Sequence, residues 1–176
     1  MILGLDISTS ITGVTVIDEN GNCLYNEMWD TRNKKHFPNL YRKARFIKNK
    51  LLDVDDGFCI EKIYIEQSLQ SFRSGFSSAK TLSTLSRFNG IVSWLCVETF
   101  EIEPEMIAAS SARKKVGVKI QKGEKAKEKS FQFVLANEPS FVVEYTKNGN
   151  PKPGTMDKSD SWIIAKAGYI NWKTKS

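Results

Sequence analysis

Residues 2–30 set the strongest constraint on the fold. "ILGLDIS" places Ile2, Leu3, Leu5 and Ile7 in one apolar strand. "TGVTVID" alternates as a second strand, "ENGN" carries an Asn-Gly turn signal, and "CLYNEMW" reads as a third. Three short antiparallel strands in succession require a sheet whose buried faces must be covered by the rest of the chain. The next segments supply covers. "FPNLYRKARFIKNKLLDV" predicts a helix, with Leu40, Ala44, Ile47, Leu51 and Leu52 at helical spacing. "CIEKIYIEQ" predicts a fourth strand, Ser78 to about Val97 a long helix, and "TFEIEPEMI" a short fifth strand. A basic segment read as a loop, with Gly117 and Gly123, leads to a helix over about Glu124 to Ala136. A breaker-rich stretch with three prolines precedes a closing helix, "DKSDSWIIAKAGYINWK". This order predicts an α/β fold, a five-stranded mixed sheet flanked by helices on both faces. At 176 residues, one domain over 1–176 is the simplest organisation.

Several function classes fall away on composition. No run reaches the ~18 apolar residues of a membrane span, so no membrane partner is expected. "MILGLDIST" lacks the basic start and long apolar region of a signal peptide. Cys23, Cys59 and Cys96 form no C-x-x-C pair, which argues against a zinc site or a disulfide framework and fits a cytoplasmic, reducing location. His36 is the only histidine, so Ser-His-Asp and Cys-His arrangements are excluded unless His36 alone serves. The net charge of +6 equals that of residues 113–129, "RKKVGVKIQKGEKAKEK", where eight Lys/Arg face only Glu124 and Glu128. A solvated face is the bland account of such a run; a polyanionic partner is the other.

Four carboxylates sit where a structural reading is strained. Asp6 lies between Leu5 and Ile7 in the most apolar strand, and Glu66 ends the strand Ile63-Tyr64-Ile65. Asp157 and Asp160 stand three apart at the start of the last helix, on one face. Either of the latter two can serve as a cap or complement the helix dipole, and Glu66 can pair with a lysine at the sheet edge. An ionised Asp6 among aliphatic residues costs several kcal/mol unless compensated. Carboxylate oxygens are the ligands of hard divalent cations, and two such ions can activate water and stabilise a leaving oxygen in phosphodiester cleavage.

These residues bring the chain to a known pattern. It resembles the RuvC-type Holliday-junction resolvases of the ribonuclease-H-like superfamily, almost end to end. "ILGLDISTSITGVTVID" is similar to that family's opening strand with its Asp and Ser/Thr-Gly turn, and "IYIEQ" to its Glu-Gln strand end. "SSAKTLSTLSRFNG" is similar to its small-residue helix, "EIEPEMIAASSARKKVGVK" to its strand-Pro segment and basic loop, and "DKSDSWIIAKAGY" to its final Asp-x-x-Asp helix. The resemblance implies that Asp6, Glu66, Asp157 and Asp160 bind two Mg²⁺, with Mn²⁺ able to substitute, and that Lys127 assists catalysis. Asp160 is expected to be the most tolerant of the four. It implies paired symmetric nicks in four-way DNA junctions, leaving 5′-phosphate and ligatable 3′-hydroxyl ends, in recombination and repair. The junction's two-fold symmetry then calls for a C2 homodimer, for which helix 78–97 is the expected interface. The short form suits a phage or mobile-element enzyme in a bacterial host.

DNA contacts are expected from Gln67, Arg73 and the basic residues Arg113, Lys114, Lys115, Lys119, Lys122 and Lys125. The family places an aromatic wedge three residues after the Glu. Here that position is Leu69, with Phe72 the next aromatic, so either is a candidate wedge. Three alternatives remain open at the level of sequence. The opening hairpin also resembles the phosphate-binding hairpin of sugar-kinase and actin-like ATPases, but the chain is too short for their second lobe. A ribonuclease-H-like nuclease acting on flaps or RNA–DNA hybrids would use the same carboxylates. A non-catalytic branched-DNA-binding module would explain the basic segment but not the acids.

Overall fold

The computed structural model describes residues 1–67 and 79–175. Five strands, β1 (Ile2–Asp6), β2 (Ile11–Ile17), β3 (Cys23–Asp30), β4 (Lys62–Glu66) and β5 (Glu105–Ile107), form one sheet in the order β3-β2-β1-β4-β5. The β1–β2 and β2–β3 pairs are antiparallel, and the β1–β4 and β4–β5 pairs are parallel. The predicted mixed α/β sheet is therefore the observed one. Strand alternation assigns the two faces. Leu3, Leu5, Val14, Val16, Ile63 and Ile65 point to one side. There they pack on Ile47, Leu51 and Val54 of α1 (Leu40–Gly57) and on Phe88, Val92, Leu95 and Cys96 of α2 (Ala79–Phe100). Each such aliphatic side chain contributes about 1.5–3 kcal/mol on full burial. Ile2, Tyr64 and Ile107 point to the other side, against Trp162, Ile163, Ile164 and Ala167 of α5 (Thr155–Lys175). Two short helices, α3 (Ala109–Val116) and α4 (Ala126–Asn137), pack on α5 through Ala112 and Val134.

Three boundaries differ from the sequence reading. The helix α1 starts at Leu40 because Asn39 caps it, its side chain accepting a hydrogen bond from Arg42 N at 3.0 Å, and Leu52 turns out to be exposed. The fifth strand is only three residues long, since α2 continues to Phe100 and Glu101 then turns the chain at φ 57°. The basic segment is not one loop: α3 occupies its first residues and ends at Gly117, whose φ of 98° closes the helix in the left-handed region. All three cysteines are free thiols. Among the described residues, no helix is long and apolar enough to cross a membrane.

Candidate metal centre

Strands β1 and β4 run side by side in register, Leu5 beside Ile65, and each ends one residue later in a carboxylate, Asp6 and Glu66. Alternation turns both side chains to the α5 face. The residue paired with Asp6 across β2 is Gly13. A Cβ on Gly13 would lie 1.9 Å from the Asp157 carbonyl oxygen, and one on Gly4 would lie 2.5 Å from Ala165 N. Only glycine at these positions lets the α5 backbone rest directly on the sheet. Ser161, Ala165 and Gly168 continue the close seam from the helix side. Thr15 Oγ1 and Ser161 Oγ share a hydrogen bond at 2.8 Å, and Asn26 Nδ2 donates to Thr15 Oγ1 at 2.8 Å and to the Lys158 carbonyl at 3.1 Å. This seam carries the first two turns of α5, with Asp157 and Asp160, to the ends of β1 and β4.

Carboxylate oxygens of Asp6, Glu66 and Asp160 lie within 4.8 Å of one another. Asp6 is 9 % exposed and Asp160 3 %. Asp160 Oδ1 accepts from Arg113 Nη2 at 3.2 Å, while its buried Oδ2 has no hydrogen-bond partner among the described residues. Lys127, in the first turn of α4, places Nζ 3.4 Å from that Oδ2 and 3.6 Å from Asp157 Oδ1. Arg113 also donates through Nε to Ser130 Oγ at 2.9 Å, which ties α3 to α4 and α5. Burial, reinforced by the charges of Glu66 and Asp160, pushes the Asp6 carboxyl well above the ordinary range. Burial and then the charge of Asp160 raise Glu66 to about 7, and burial raises Asp157. Burial alone would lower the Lys127 ammonium, but the surrounding carboxylates outweigh it and the net shift is upward. The donor set is all oxygen, it is crowded with like charge, and the buried Asp160 Oδ2, with only the Lys127 ammonium near it, accepts no hydrogen bond among the described residues. Those are the requirements of a hard divalent cation.

No protein-family model and no curated protein matches the chain. Solved structures do. T. thermophilus RuvC in complex with a Holliday-junction substrate aligns at TM-score 0.67 and 14% identity, over 98% of this chain and 94% of that one. A second Thermus thermophilus RuvC structure aligns at 0.65 and 16%, covering 99% and 96%. The yeast mitochondrial Holliday-junction resolvase Ydc2 aligns at 0.60 and 13%, covering 99% of this chain and 79% of its own. The chain has the RuvC-type resolvase fold. The sequence-level resemblance is thereby supported in three dimensions, and the ribonuclease-H-like sheet with it.

On this RuvC-type fold the expected site residues separate into groups. Asp6, Glu66 and Asp160 converge; Asp157 stands beside them, joined through Lys127. Of the two helix acids it is Asp160, expected to be the more tolerant, that lies at the centre. Arg113, grouped with the DNA-facing basic residues, turns inward to Asp160 and is largely buried. Lys114, Lys115, Lys119, Lys122 and Lys125 are exposed; Lys115 bonds Asn171, and Lys125 pairs with Glu128 at 2.9 Å. Gln67 is exposed, its backbone N–H donating to the Ile107 carbonyl at 2.9 Å. Leu69, Phe72 and Arg73 lie outside the described residues. Sequence reasoning missed Gly13, Ser130, the inward role of Arg113, and the buried Asn89, whose Nδ2 reaches the Glu66 carbonyl at 3.4 Å. The signal for Gly13 was available: a glycine inside a strand marks a close backbone approach.

Proposed function

We propose that the protein is a metal-dependent, structure-selective endodeoxyribonuclease that resolves four-way DNA junctions by paired symmetric nicks. One observation carries this reading: three carboxylates meet within 4.8 Å at the strand ends of a RuvC-type fold. Two of the structures it resembles are described as Holliday-junction proteins, one of them bound to that substrate. Asp6, Glu66 and Asp160, with Asp157 beside them, would hold Mg²⁺, two ions per site. When bound, such ions supply water activation and stabilisation of the departing 3′ oxygen. The chain's own residues prepare the place for that chemistry. Burial holds Asp6 and Glu66 in fixed positions, Arg113 fixes one oxygen of Asp160, and Lys127 keeps its proton and offsets the surplus negative charge near the incoming phosphate.

The substrate's two-fold symmetry calls for a C2 homodimer. The outer side of α2 is the surface we assign to it, because Trp94, 66 % exposed, and Gly90 lie there with little around them among the described residues. The test is a nicking assay on four-way junctions, flaps and RNA–DNA hybrids, in Mg²⁺, in Mn²⁺ and in chelator. Paired, religatable nicks in four-way junctions, present with either ion and absent in chelator, are expected. Preferential cutting of flaps or hybrids would move the assignment to a ribonuclease-H-like nuclease of other substrate class. Tight junction binding without cutting in any metal would make the chain a binding module.

A further inference from the structure

The sheet's topology brings a second basic region to the acidic cluster. Residues 31–50 contain eight Lys/Arg and no Asp or Glu, so their net charge exceeds that of 113–129, where two glutamates offset the same number of cations. Strands β1, β3 and β4 all point the same way, so the chain beyond β3 emerges at the edge where Asp6 and Glu66 end. The row Asp6–Gly13–Met28 crosses three adjacent strands, and Asp30 continues β3 beyond it. Two strand spacings put Met28 about 10 Å from Asp6 across the sheet. The segment between β3 and α1 is held in place rather than loose. Thr31 N donates to the Ser10 carbonyl at 2.8 Å, Asn33 organises the turn through Lys35 N and His36 N, and Phe37 packs on Phe46 of α1. Lys43 Nζ donates to the Thr9 carbonyl, which fixes the first turns of α1 against the β1–β2 turn just past Asp6.

Charge pairing separates this region from an ordinary solvated face. Lys48 and Lys50, farther along α1, are paired with Glu98 and Asp53. Arg32 is held by Asp30 through Nε and Nη2. Lys34, Lys35, Arg42 and Arg45 make no ion pair among the described residues, and Lys34, Lys35 and Arg42 are exposed. Between the paired Arg32 and the paired Lys48, the cations without an ion pair thus run from the segment after β3 into the first turns of α1. α3 starts directly after β5, the edge strand opposite β3, and packs with α4 on α5, so that the 113–129 segment reaches the carboxylates through Arg113 and Lys127. On the β3 side, Asp157 contributes to the electrostatics of Arg32.

We propose that Lys34, Lys35 and Arg42 form a second phosphate-binding bank, on the β3 side of the acidic cluster, facing the 113–129 bank across it. The ligand is the DNA backbone, and a strand laid between the two banks passes over Asp6 and Glu66. The inference rests on the nuclease reading above and deepens it. A phosphate polymer meets four carboxylates at the centre and needs cations on both flanks to lie there.

The test is fluorescence anisotropy of a labelled four-way DNA junction in chelator, titrated over about 50 to 200 mM salt. Three proteins are compared: wild type, Lys34→Gln/Lys35→Gln/Arg42→Gln, and Lys62→Gln. The triple variant leaves the Asp30–Arg32 pair and the hydrogen bonds of Thr31, Asn33 and Lys43 intact; Lys62 starts β4 at the opposite edge of the sheet. The slope of log K against log salt is expected to be shallower by two to three in the triple variant, at about 0.9 for each phosphate no longer neutralised, and unchanged in Lys62→Gln. A wild-type slope in a triple variant that melts like wild type overturns this inference alone. Failure of wild type to bind any DNA overturns the nuclease reading as well.

Discussion

Toward α1 and α2, β1 presents Leu3 and Leu5, with Ile7 just past its end; toward α5 the same strand presents Ile2, Gly4 and Asp6. The first face is close-packed aliphatic and aromatic surface, in which Phe88 and Val92 are fully buried. The second is built from glycines that admit helix backbone, from the Thr15–Ser161–Asn26 hydrogen bonds, and from carboxylates at its edge. One side stabilises the fold through area removed from water. The other fixes where α5 lies and tolerates repulsion among its acids. The contrast teaches that stability and position are supplied by different faces of one strand. Substitutions should therefore separate them.

The largest effect is expected on the apolar face. Phe88→Ala should cost about 3–5 kcal/mol, since Phe88 is wholly buried and its truncation leaves a cavity in a packed core. Urea unfolding measures it, and the fraction still folded should cut at a normal rate. A cost under about 1 kcal/mol would mean that this face repacks freely and does not anchor the sheet. Asp6→Asn reverses both readouts. Cutting should fall by more than about a hundredfold, beyond the usual cost of losing a supporting residue around a metal. The melting temperature in chelator should rise, because one of several mutually repelling buried charges is gone. A variant that melts lower in chelator and gains as much from Mg²⁺ as wild type does would make Asp6 a structural residue.

Gly13→Ala tests the seam itself. Its Cβ would meet helix backbone, not a flexible side-chain end, so α5 must shift. The expected cost is about 1–3 kcal/mol, with a drop in cutting larger than the drop in folded protein explains. Gly57→Ala, where nothing lies within 4 Å of the added atom, is the matched control and should change little. Equal behaviour of the two variants would mean that close approach at Gly13 does not position Asp157 and Asp160.

The apolar face was legible because alternation in β1, β2 and β4 and helical spacing in α1 and α2 are local signals. Asp6 and Glu66 were legible for a related reason: a carboxylate at the end of an apolar strand interrupts a pattern. What escaped depends on pairing in space. The helix α3 offers only Ala109, Ala112 and Val116 as apolar markers beside a basic run, so its buried side and the inward turn of Arg113 left no periodic trace. The 31–50 cations vanished in the charge total because acids elsewhere, such as Asp53, Asp55 and Asp56, cancel them in the sum along the chain. Thr99 and Phe100 favour strands intrinsically, yet the tertiary packing of α2 keeps them helical.

The smallest effect, and the one that most sharpens the contrast between faces, is the pH dependence of stability without metal. Burial and neighbouring charge raise Asp6 and bring Glu66 to about 7. In the unfolded chain both titrate near 4. Between about pH 4.5 and 7 the folded protein therefore holds more protons than the unfolded one, so stability falls as pH rises through this window. Below it both states are protonated and the penalty is absent; above about 7 the Glu66 share is complete. The exposed acids with lowered values, Asp18, Asp30, Glu124 and Glu144, act in the opposite sense but at pH below this window. Lys127, whose value is raised, contributes stability that is lost only at strongly alkaline pH. In chelator the melting temperature should decline by a few degrees from pH 5 to 8, and Glu66→Gln should flatten the decline, while Phe88→Ala should lower the whole curve without changing its slope. Mg²⁺ binding requires the charged forms, so the gain from Mg²⁺ should grow over the same window. A wild-type curve in chelator that rises from pH 5 to 8 would mean that Asp6 and Glu66 are compensated within the protein, and the two faces would then differ in shape but not in stored repulsion.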